Sequence, residues 1–266
     1  MSVRLDAALS ERGLARSRTH AATLVADALV KVNGATVVKA SVRVKPDDVI
    51  EVARTDHYVS RAAHKLVAAL DGFGISAEGR LALDMGASTG GFTQVLRERG
   101  ARRVLAVDVG HGQLAPSIRD DPGVVAVEGF NVRYMNPQSL TDATGENEAP
   151  DLLVGDLSFI SLAHVFPAVR SVAAANADVV LLIKPQFEVG RTAVRGGLVT
   201  DPTTRIDAVS RTVWDAWDSG LGMRGILPSP ILGTYGNAEY LVHLAPGAGD
   251  NPTQWLSTID QLAGGR

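Results

Sequence analysis

The chain of 266 residues has the composition of an ordinary globular protein, with 45% hydrophobic and 21% charged residues and a formal net charge of −3. It contains no cysteine, which excludes disulfides, iron–sulfur clusters, thiolate zinc sites and cysteine nucleophiles. No apolar run approaches the roughly 18 residues of a membrane span, and the first residues lack the apolar stretch of a signal peptide, so we expect a soluble, cytoplasmic protein. The six histidines show no metal-ligand spacing, so we expect no bound metal.

Two short helices are predicted at the start of the chain. The first covers residues 4–13, RLDAALSERG, with Leu5, Ala8 and Leu9 facing inward. The second covers residues 17–30, with Ser17 as its N-cap. The helices and the residues that follow them predict a small α+β domain.

Short strands are predicted within residues 30–52. Asn33-Gly34 is a hairpin-turn signal. The alternation of valines predicts that Val42, Val44, Val49 and Val52 point into the core of this domain.

This first segment is mildly basic, whereas the rest of the chain is acidic. Residues 1–60 contain nine Lys or Arg and seven Asp or Glu. The stretch RLDAALSERGLARSRTHAATLVADALVKVNG resembles the small RNA-binding module that a small-subunit ribosomal protein shares with many pseudouridine synthases. The resemblance implies RNA contacts by Arg4, Arg12, Arg16, Ser17, Arg18 and Lys31. On charge alone, a solvated helix pair without a partner is an equal alternative.

The domain boundaries follow from a change in the pattern of predicted strands and helices. We predict the RNA-binding module in residues 1–53, a polar linker in residues 54–60 and a second domain in residues 61–266. After residue 78, apolar β-branched strands alternate with helical patterns. The predicted strands contain LALDM, RRVLAVD, GVVAVE, DLLVGD, DVVLLIK, RGILPSPI and EYLVHLAP. Repeated βα units predict a seven-stranded, doubly wound, Rossmann-like parallel sheet, with ligands bound beyond the carboxyl ends of its strands.

A glycine-rich turn in LALDMGASTGGFTQVL joins the first of these strands to a helix. Gly86 allows a sharp turn, and Gly90 and Gly91 allow close approach to the helix start. The pattern D-x-G-x-x-x-G-G differs from the dinucleotide pattern G-x-G-x-x-G and from a Walker loop. Because Asp84 would repel a pyrophosphate, the turn favours a ligand with positive charge, such as S-adenosylmethionine.

A second acid, Asp108, ends the next strand and could accept hydrogen bonds from ribose hydroxyls. Alone, either acid is more simply a loop acid or a helix cap; together they favour a nucleoside-bearing cofactor. Asn131 could reach adenine or could be a simple turn residue. The predicted cofactor residues are Asp84, Gly86, Ser88, Gly90, Gly91, Asp108, Asn131 and Asp156.

Four charged residues are expected to meet near this turn. Asp156 and Lys184 end the fourth and fifth strands, so both should face the same cleft. Glu239 begins the last strand. Lys65 lies in SRAAHKLVAAL, a predicted helix on which Arg61, His64 and Lys65 share one face, and Arg61 is a further predicted RNA contact.

The motifs SRAAHKL, LDMGASTGGFTQVL, VDVGHGQL, DLSFISL, IKPQFEVG and GNAEY resemble the TlyA family of ribosomal RNA 2′-O-methyltransferases, a branch of the FtsJ-like methyltransferases. The resemblance implies that the Lys–Asp–Lys–Glu catalytic set falls on Lys65, Asp156, Lys184 and Glu239. It also implies S-adenosylmethionine as cofactor and ribosomal RNA or ribosomal subunits as partner.

The chemistry of these residue types agrees with that reaction. A ribose hydroxyl is a poor nucleophile, so a neutral lysine could remove its proton, or a charged lysine could stabilise the developing alkoxide. Lys184 is the first candidate, Asp156 and Glu239 would hold the ammonium groups, and Lys65 would orient the ribose. Taken alone, Lys184 would more simply be a lysine at a strand end with its charge in solvent.

Two patterns that other RNA or DNA methyltransferases use are missing. The sequence after the fourth strand is DLSF rather than the N/D-P-P-Y/F of exocyclic-amine methyltransferases, and carbon-5 cytosine methylation needs a cysteine. The glycine-rich stretch of residues 188–202 could grip RNA through Arg191 and Arg195, or could be a surface loop.

Two other functions remain as alternatives. A non-catalytic ribosome-assembly factor would bind RNA without transferring a methyl group. A membrane-active haemolysin, a label that members of this family also carry, has little support because the sequence shows no basic amphipathic helix.

Overall fold

The computed structural model describes residues 2–15, 17–26, 28–52, 57–190, 194, 196–233 and 236–265. The chain divides into two compact units, Met1–Tyr58 and Val59–Arg266. None of the described helices combines the length and the hydropathy of a membrane span.

The first unit is a small α+β domain with a core of its own. Its strands are β1 (Val3–Arg4), β2 (Val30–Val32), β3 (Ala35–Thr36), β4 (Arg43–Val44) and β5 (Ile50–Val52), and its helices are α1 (Leu5–Glu11) and α2 (Arg18–Ala26). The inward side chains of α1 are fully buried, as the sequence predicts. The hairpin β2–β3 turns at Asn33 and Gly34, which both have positive φ, as a tight primed turn requires.

One predicted core position in this unit is wrong. Val44 is fully buried, but Val49 is 58% exposed. Val49 lies directly before β5, at the end of a turn in which the Asp48 carboxylate accepts the Lys45 N–H, and its own N–H donates to Asn33 Oδ1. The turn breaks the strand alternation on which the prediction relied.

The second unit contains a seven-stranded sheet with helices on both faces. Its strands are β6 (Leu81–Met85), β7 (Arg103–Asp108), β8 (Val124–Glu128), β9 (Leu152–Gly155), β10 (Asp178–Ile183), β11 (Leu221–Pro228) and β12 (Tyr240–Pro246). Its helices are α3 (Ala63–Phe73), α4 (Gly91–Glu98), α5 (Pro116–Arg119), α6 (Pro137–Thr144), α7 (Phe166–Val172), α8 (Pro185–Glu188), α9 (Pro202–Asp218) and α10 (Leu256–Gly264). The predicted seven-stranded, doubly wound class is confirmed.

The sheet is mixed rather than wholly parallel. Its strand order is β11-β12-β10-β9-β6-β7-β8, and β12 runs antiparallel to both of its neighbours. No α-helix occurs in the described residues between β11 and β12, so the chain returns along the sheet without the crossover that a parallel strand needs. Because β12 is reversed, its first residue lies at the edge where β9 and β10 end.

Successive residues of the central strands face opposite layers. Leu81, Leu83 and Met85 of β6 belong to the large core that also contains side chains of α7 and α9. Asp84 points to the other face, where α4 packs on the sheet and Thr93 bonds to it. All five residues of β6 are buried, as expected for a parallel strand covered on both sides.

Several helices differ from the sequence predictions. The helix predicted in HGQLAPSIRDD is reduced to the four residues of α5, and the one predicted in LAHVFPAVRSVAAA begins as a 3-10 turn before α7. Pro116 and Pro167, which lack an N–H, occupy the first turns of these two helices and favour starting there. The sequence analysis did not predict α6, which carries a capping box at Asn136, or α10.

An ionic cluster centred on Asp178 lies at the start of β10, on the edge opposite the predicted site. Its carboxylate lies 2.8 Å from His243 Nε2 and 2.6 Å from Arg80 Nη1. Burial raises the pKa of Asp178, but the hydrogen bonds from His243 and Arg80 outweigh it and lower the pKa to about 2. The cluster therefore stabilises the ionised carboxylate in the folded state.

We expect Asp178→Asn to lower the free energy of unfolding at neutral pH by about 2 kcal/mol, because it leaves the Arg80 guanidinium without its carboxylate partner. The folded-state pKa of Asp178 lies below the unfolded value of about 3.9, so this contribution disappears as the pH falls from about 4 towards about 2. Urea titrations at several pH values measure it, with the exposed Asp260→Asn as control. Equal stability of wild type and Asp178→Asn at pH 7 would contradict the assignment.

Candidate active site

Strand register brings the ends of three strands together. In the parallel part of the sheet, Gly155 pairs with Leu181 of β10 and with Met85 of β6. In the antiparallel part, Ile183 pairs with Tyr240. Asp156, Lys184 and Glu239 are each the next residue beyond these pairs, so the backbone delivers all three to one edge of the sheet.

The four predicted catalytic residues form one ionic network, called the tetrad below (Lys65, Asp156, Lys184 and Glu239). The Asp156 carboxylate uses its two oxygens for different lysines: Oδ1 lies 2.7 Å from Lys184 Nζ and Oδ2 lies 3.1 Å from Lys65 Nζ. Lys65 Nζ also lies 2.7 Å from Glu239 Oε2. Each of the four side chains therefore contacts at least one side chain of opposite formal charge.

The tetrad is withdrawn from solvent, and its charges compensate for that. The side chains of Lys65 and Lys184 are each 8% exposed, and that of Glu239 is 3% exposed. Burial lowers the pKa of Lys65, but the carboxylates of Asp156 and Glu239 raise it by more, so the pKa lies above its usual value. Burial likewise raises the pKa of Asp156, and the two ammonium groups lower it by more. Both groups are thus held in their charged forms.

A serine that the sequence analysis did not single out completes the surroundings of Lys184. Lys184 Nζ donates a hydrogen bond of 2.8 Å to Ser158 Oγ. The ammonium group also lies 5.9 Å from the centre of the Phe187 ring. Ser158 stands in the DLSF segment two residues after Asp156, and this closeness to a strand-end acid is the signal that could have identified it.

The glycine turn lies beside the tetrad and adopts the expected conformation. Gly86 and Gly90 have φ values of 80° and 97°, which side chains rarely tolerate. A Cβ on Gly90 would come within 2.9 Å of Ile118, and one on Gly91 within 2.9 Å of Ser60. A Cβ on Gly86 would approach Leu157, the residue after Asp156, to 3.0 Å.

Asp84 lies directly below this turn and is fully buried. Its Oδ2 accepts a hydrogen bond of 2.6 Å from Thr93 Oγ1, whereas Oδ1 has no hydrogen-bond partner among the described residues. Burial raises the pKa of Asp84 to about 7, and the nearby Asp156 carboxylate adds to the increase. The orphaned acceptor oxygen fits a hydrogen-bond donor of a bound ligand.

A cleft opens at the carboxyl ends of β7 and β8, with Ser88, Asp108, Gly110, Gln113 and Glu128 among its lining residues. The Asp108 carboxylate accepts backbone N–H groups of Ser88 and Gly110 at 2.8 and 2.7 Å. Glu128 accepts the Gly112 N–H at 2.7 Å. The sequence analysis missed Glu128, although it ends its strand as Asp108 does.

Asn131 does not line this cleft. Its side-chain oxygen accepts the Arg133 N–H and caps a 3-10 turn, and the residue is exposed. Asn131 is thus a turn residue in this structure, and its contact with adenine stays a prediction.

The predicted RNA-binding arginines of the first unit have intramolecular partners. Arg4 Nε and Arg18 Nη2 both contact Asp6, at 3.0 and 3.1 Å, and their side chains are 46% and 61% exposed. Arg12 donates to three backbone carbonyls of the turn at residues 45–48. Arg4 and Arg18 therefore form an exposed pair on one carboxylate, whereas Arg12 braces a turn.

Other predicted RNA contacts have mixed positions. Ser17 Oγ accepts the His20 N–H and caps α2, and Lys31 is exposed on β2. Arg61 precedes α3, which begins at Ala63, and His64 is exposed while Lys65 is buried, so the predicted shared helical face is wrong. Arg16, Arg191 and Arg195 lie outside the described residues. A group of three or more residues that could hold a metal ion is not found in the described part of the chain.

Comparisons with known proteins show which families and relatives the chain resembles. Residues 58–245 match the FtsJ-like methyltransferase family, and residues 3–50 match the S4 domain. The chain is 46% identical over 244 residues to the 16S/23S rRNA (cytidine-2′-O)-methyltransferase TlyA of Mycobacterium tuberculosis, an alignment that covers 91% of this chain and 89% of that protein.

Two solved structures show the same architecture. A Streptococcus thermophilus protein labelled a hemolysin has a TM-score of 0.76 and 34% identity, and the match covers 99% of this chain and 95% of that one. Aeropyrum pernix fibrillarin with bound S-adenosyl-L-methionine has a TM-score of 0.50 and 17% identity, covering 69% of this chain and 76% of that one, which establishes likeness of fold alone.

The buried carboxyl below the glycine turn predicts an unusual dependence of stability on pH. The folded-state pKa of Asp84 is raised to about 7, so the wild type should lose stability as the pH rises from about 4 through about 7. Asp84→Asn removes the ionisation. It should be the more stable protein at pH 8, by roughly 1.4 kcal/mol for each unit by which the pKa is raised.

Thermal unfolding from pH 5 to pH 8 measures this difference. Asp120→Asn, which changes an exposed carboxyl after α5, is the matched control. Parallel stability curves for the wild type and Asp84→Asn would contradict the raised pKa of Asp84.

Proposed function

The chain belongs to the FtsJ-like methyltransferase family and carries an S4 domain, and from this premise we propose that it methylates ribose 2′-hydroxyls of ribosomal RNA with S-adenosylmethionine as methyl donor. The observation that carries the proposal is the charge-balanced contact of the tetrad at the edge where the strands end. That edge is where ligands of open α/β sheets bind.

The residues around the glycine turn suit the proposed cofactor. The orphaned oxygen of Asp84, directly below the turn, can accept a hydrogen bond from a donor of the cofactor. Asp108 and Glu128 bring carboxylates to the neighbouring cleft, where they can accept hydrogen bonds from ribose hydroxyls. When bound there, S-adenosylmethionine supplies a methyl group activated by its sulfonium charge.

The tetrad supplies the electrostatics that a ribose hydroxyl needs. Negative charge develops on the 2′-oxygen as it attacks the methyl group and its proton passes to solvent water. Lys184 Nζ lies 2.7 Å from Asp156 Oδ1, and a lysine paired with a carboxylate suits stabilisation of this charge better than removal of the proton. Lys65 is held by both carboxylates and adds a second fixed positive charge. Because the groups are already oriented, they do not reorganise during the reaction.

The substrate is proposed to be RNA for two reasons. The first unit matches the S4 domain and presents Arg4 and Arg18 at its surface. The homologue with 46% identity is described as acting on cytidines of 16S and 23S ribosomal RNA, so we propose a cytidine as the target nucleoside. An enzyme of ribosomal RNA acts where ribosomes are assembled, so the proposal includes a cytoplasmic location.

Lys184→Ala should reduce the rate of methyl transfer by roughly 100-fold or more, because the developing alkoxide loses its nearest positive charge. The dissociation constant for S-adenosylmethionine should change by no more than about twofold, since the glycine turn and Asp108 are untouched. Methyl incorporation into ribosomal RNA and calorimetric cofactor binding measure the two effects. Full activity of Lys184→Ala would remove the basis for this mechanism.

Deletion of residues 1–58 should weaken RNA binding by about tenfold or more, because a second linked contact raises affinity through effective concentration. Cofactor binding should be preserved, since the deleted unit has its own core. Filter binding with labelled ribosomal RNA tests the first statement, and cofactor titration provides the control. Unchanged RNA affinity after deletion would mean that the first unit is not the anchor.

A further inference from the structure

Two motifs from the sequence, DLSFISL and IKPQFEVG, are only partly used by the tetrad. They contribute Asp156 and Lys184, yet both continue for several residues beyond those positions. The residues beyond them are joined by one side chain, Glu188, at the end of α8.

Glu188 binds the far end of the segment that begins at Asp156. Its Oε2 accepts a hydrogen bond of 2.6 Å from Ser161 Oγ, and its Oε1 accepts the Leu162 N–H at 3.0 Å. The intervening residues 157–161 are called the strand-end loop below. This loop is therefore anchored at one end by the lysines that bind Asp156 and at the other end by Glu188.

The strand-end loop is strained between its two anchors. Phe159 has a φ of 65°, a left-handed conformation that is strained for an aromatic residue. The residue is 92% exposed, and its ring lies 5.2 Å from that of Phe187. Because Phe159 is exposed, burial does not offset this strain, and the left-handed conformation depends on the two anchors of the loop.

The middle of the same loop contacts a tetrad lysine. Ser158 Oγ accepts a hydrogen bond from Lys184 Nζ at 2.8 Å. Any displacement of the loop would move this acceptor and with it one of the contacts that orient the ammonium group. Glu188 thus has a physical connection to Lys184 that runs through Ser161 and Ser158.

The ionised carboxylate of Glu188 is unfavourable at this position. Burial raises the pKa of its carboxyl, and the two hydrogen bonds do not fully offset the effect. An ionised acid here lowers stability relative to a neutral side chain. Glu188 therefore fixes the geometry of the strand-end loop rather than stabilising the folded state.

We propose that Glu188 is a positioning residue for methyl transfer, which fixes the strand-end loop and thereby the ammonium group of Lys184 through Ser158. The proposal rests on the methyltransferase function given above. It differs from that function because Glu188 acts through other residues and touches neither the reacting hydroxyl nor the methyl donor.

The experiment compares four variants of the full chain: Glu188→Ala, Glu188→Gln, Ser161→Ala and Glu146→Ala. Gln can keep both contacts, since its oxygen can accept the Leu162 N–H and its amide can donate to Ser161 Oγ. Glu146 is the matched control, because it also accepts two backbone N–H groups but lies between α6 and β9 at the opposite edge of the sheet.

Glu188→Ala should lower kcat by about tenfold or more, since small displacements of a catalytic group have large effects on rate. The KM for RNA, the cofactor dissociation constant and the melting temperature should stay close to those of wild type. Glu188→Gln should retain kcat to within about threefold of wild type. The kcat of Ser161→Ala should lie between those of Glu188→Ala and Glu188→Gln. Glu146→Ala should keep the wild-type kcat.

Chymotrypsin cleavage after Phe159 provides a readout without methyl transfer. Cleavage should be faster in Glu188→Ala and unchanged in Glu188→Gln and Glu146→Ala. The proposal is overturned by a wild-type kcat in Glu188→Ala, by equal losses in the Ala and Gln variants, or by unchanged cleavage. If the wild type itself does not methylate RNA, the proposed function fails, while the cleavage rates still test whether Glu188 anchors the loop.

Discussion

The carboxylate of Asp156, shared between two buried ammonium groups, is the interaction on which the site depends. Each of its oxygens binds a different lysine, and one of these, Lys65, also binds Glu239. Four charges at 3% to 15% side-chain exposure would be unfavourable separately, because burial penalises every ionised form. Together they balance, and removing one would leave an uncompensated charge that costs several kcal/mol. The lysine that follows the apolar strand β10 is therefore a fixed part of this network rather than a surface residue with its charge in solvent.

The topology of the sheet makes this contact achievable. Parallel strands β9 and β10 deliver Asp156 and Lys184 to one edge, and the reversed strand β12 delivers Glu239 to the same edge from the opposite direction. Helix α3 adds Lys65 from the layer above the sheet. Segments up to 174 residues apart in sequence thus meet through ordinary strand register and helix packing.

Much of this arrangement was predictable from the sequence, for identifiable reasons. Asp156 and Lys184 directly follow apolar runs, and parallel strands end at a common edge. The resemblance of the motifs to a known family supplied Lys65 and Glu239, whose meeting depends on the reversal of β12 and has no local signal. The period-two alternation of β6 could have placed Asp84 on the inner face below α4, but its raised pKa depends on burial by residues from other elements. The bond between Glu188 and Ser161 joins positions 27 residues apart through side chains, so neither pattern nor propensity reveals it.

The most direct test of the account is the chemical position of the transferred methyl group. Purified protein would be incubated with ribosomal RNA and S-adenosylmethionine carrying a labelled methyl group, and the RNA would then be digested to nucleosides. The account predicts that the label is on the ribose 2′-oxygen of a nucleoside and is absent when the protein carries Lys184→Ala. Label on a base, or ribose label that persists in Lys184→Ala, would contradict it.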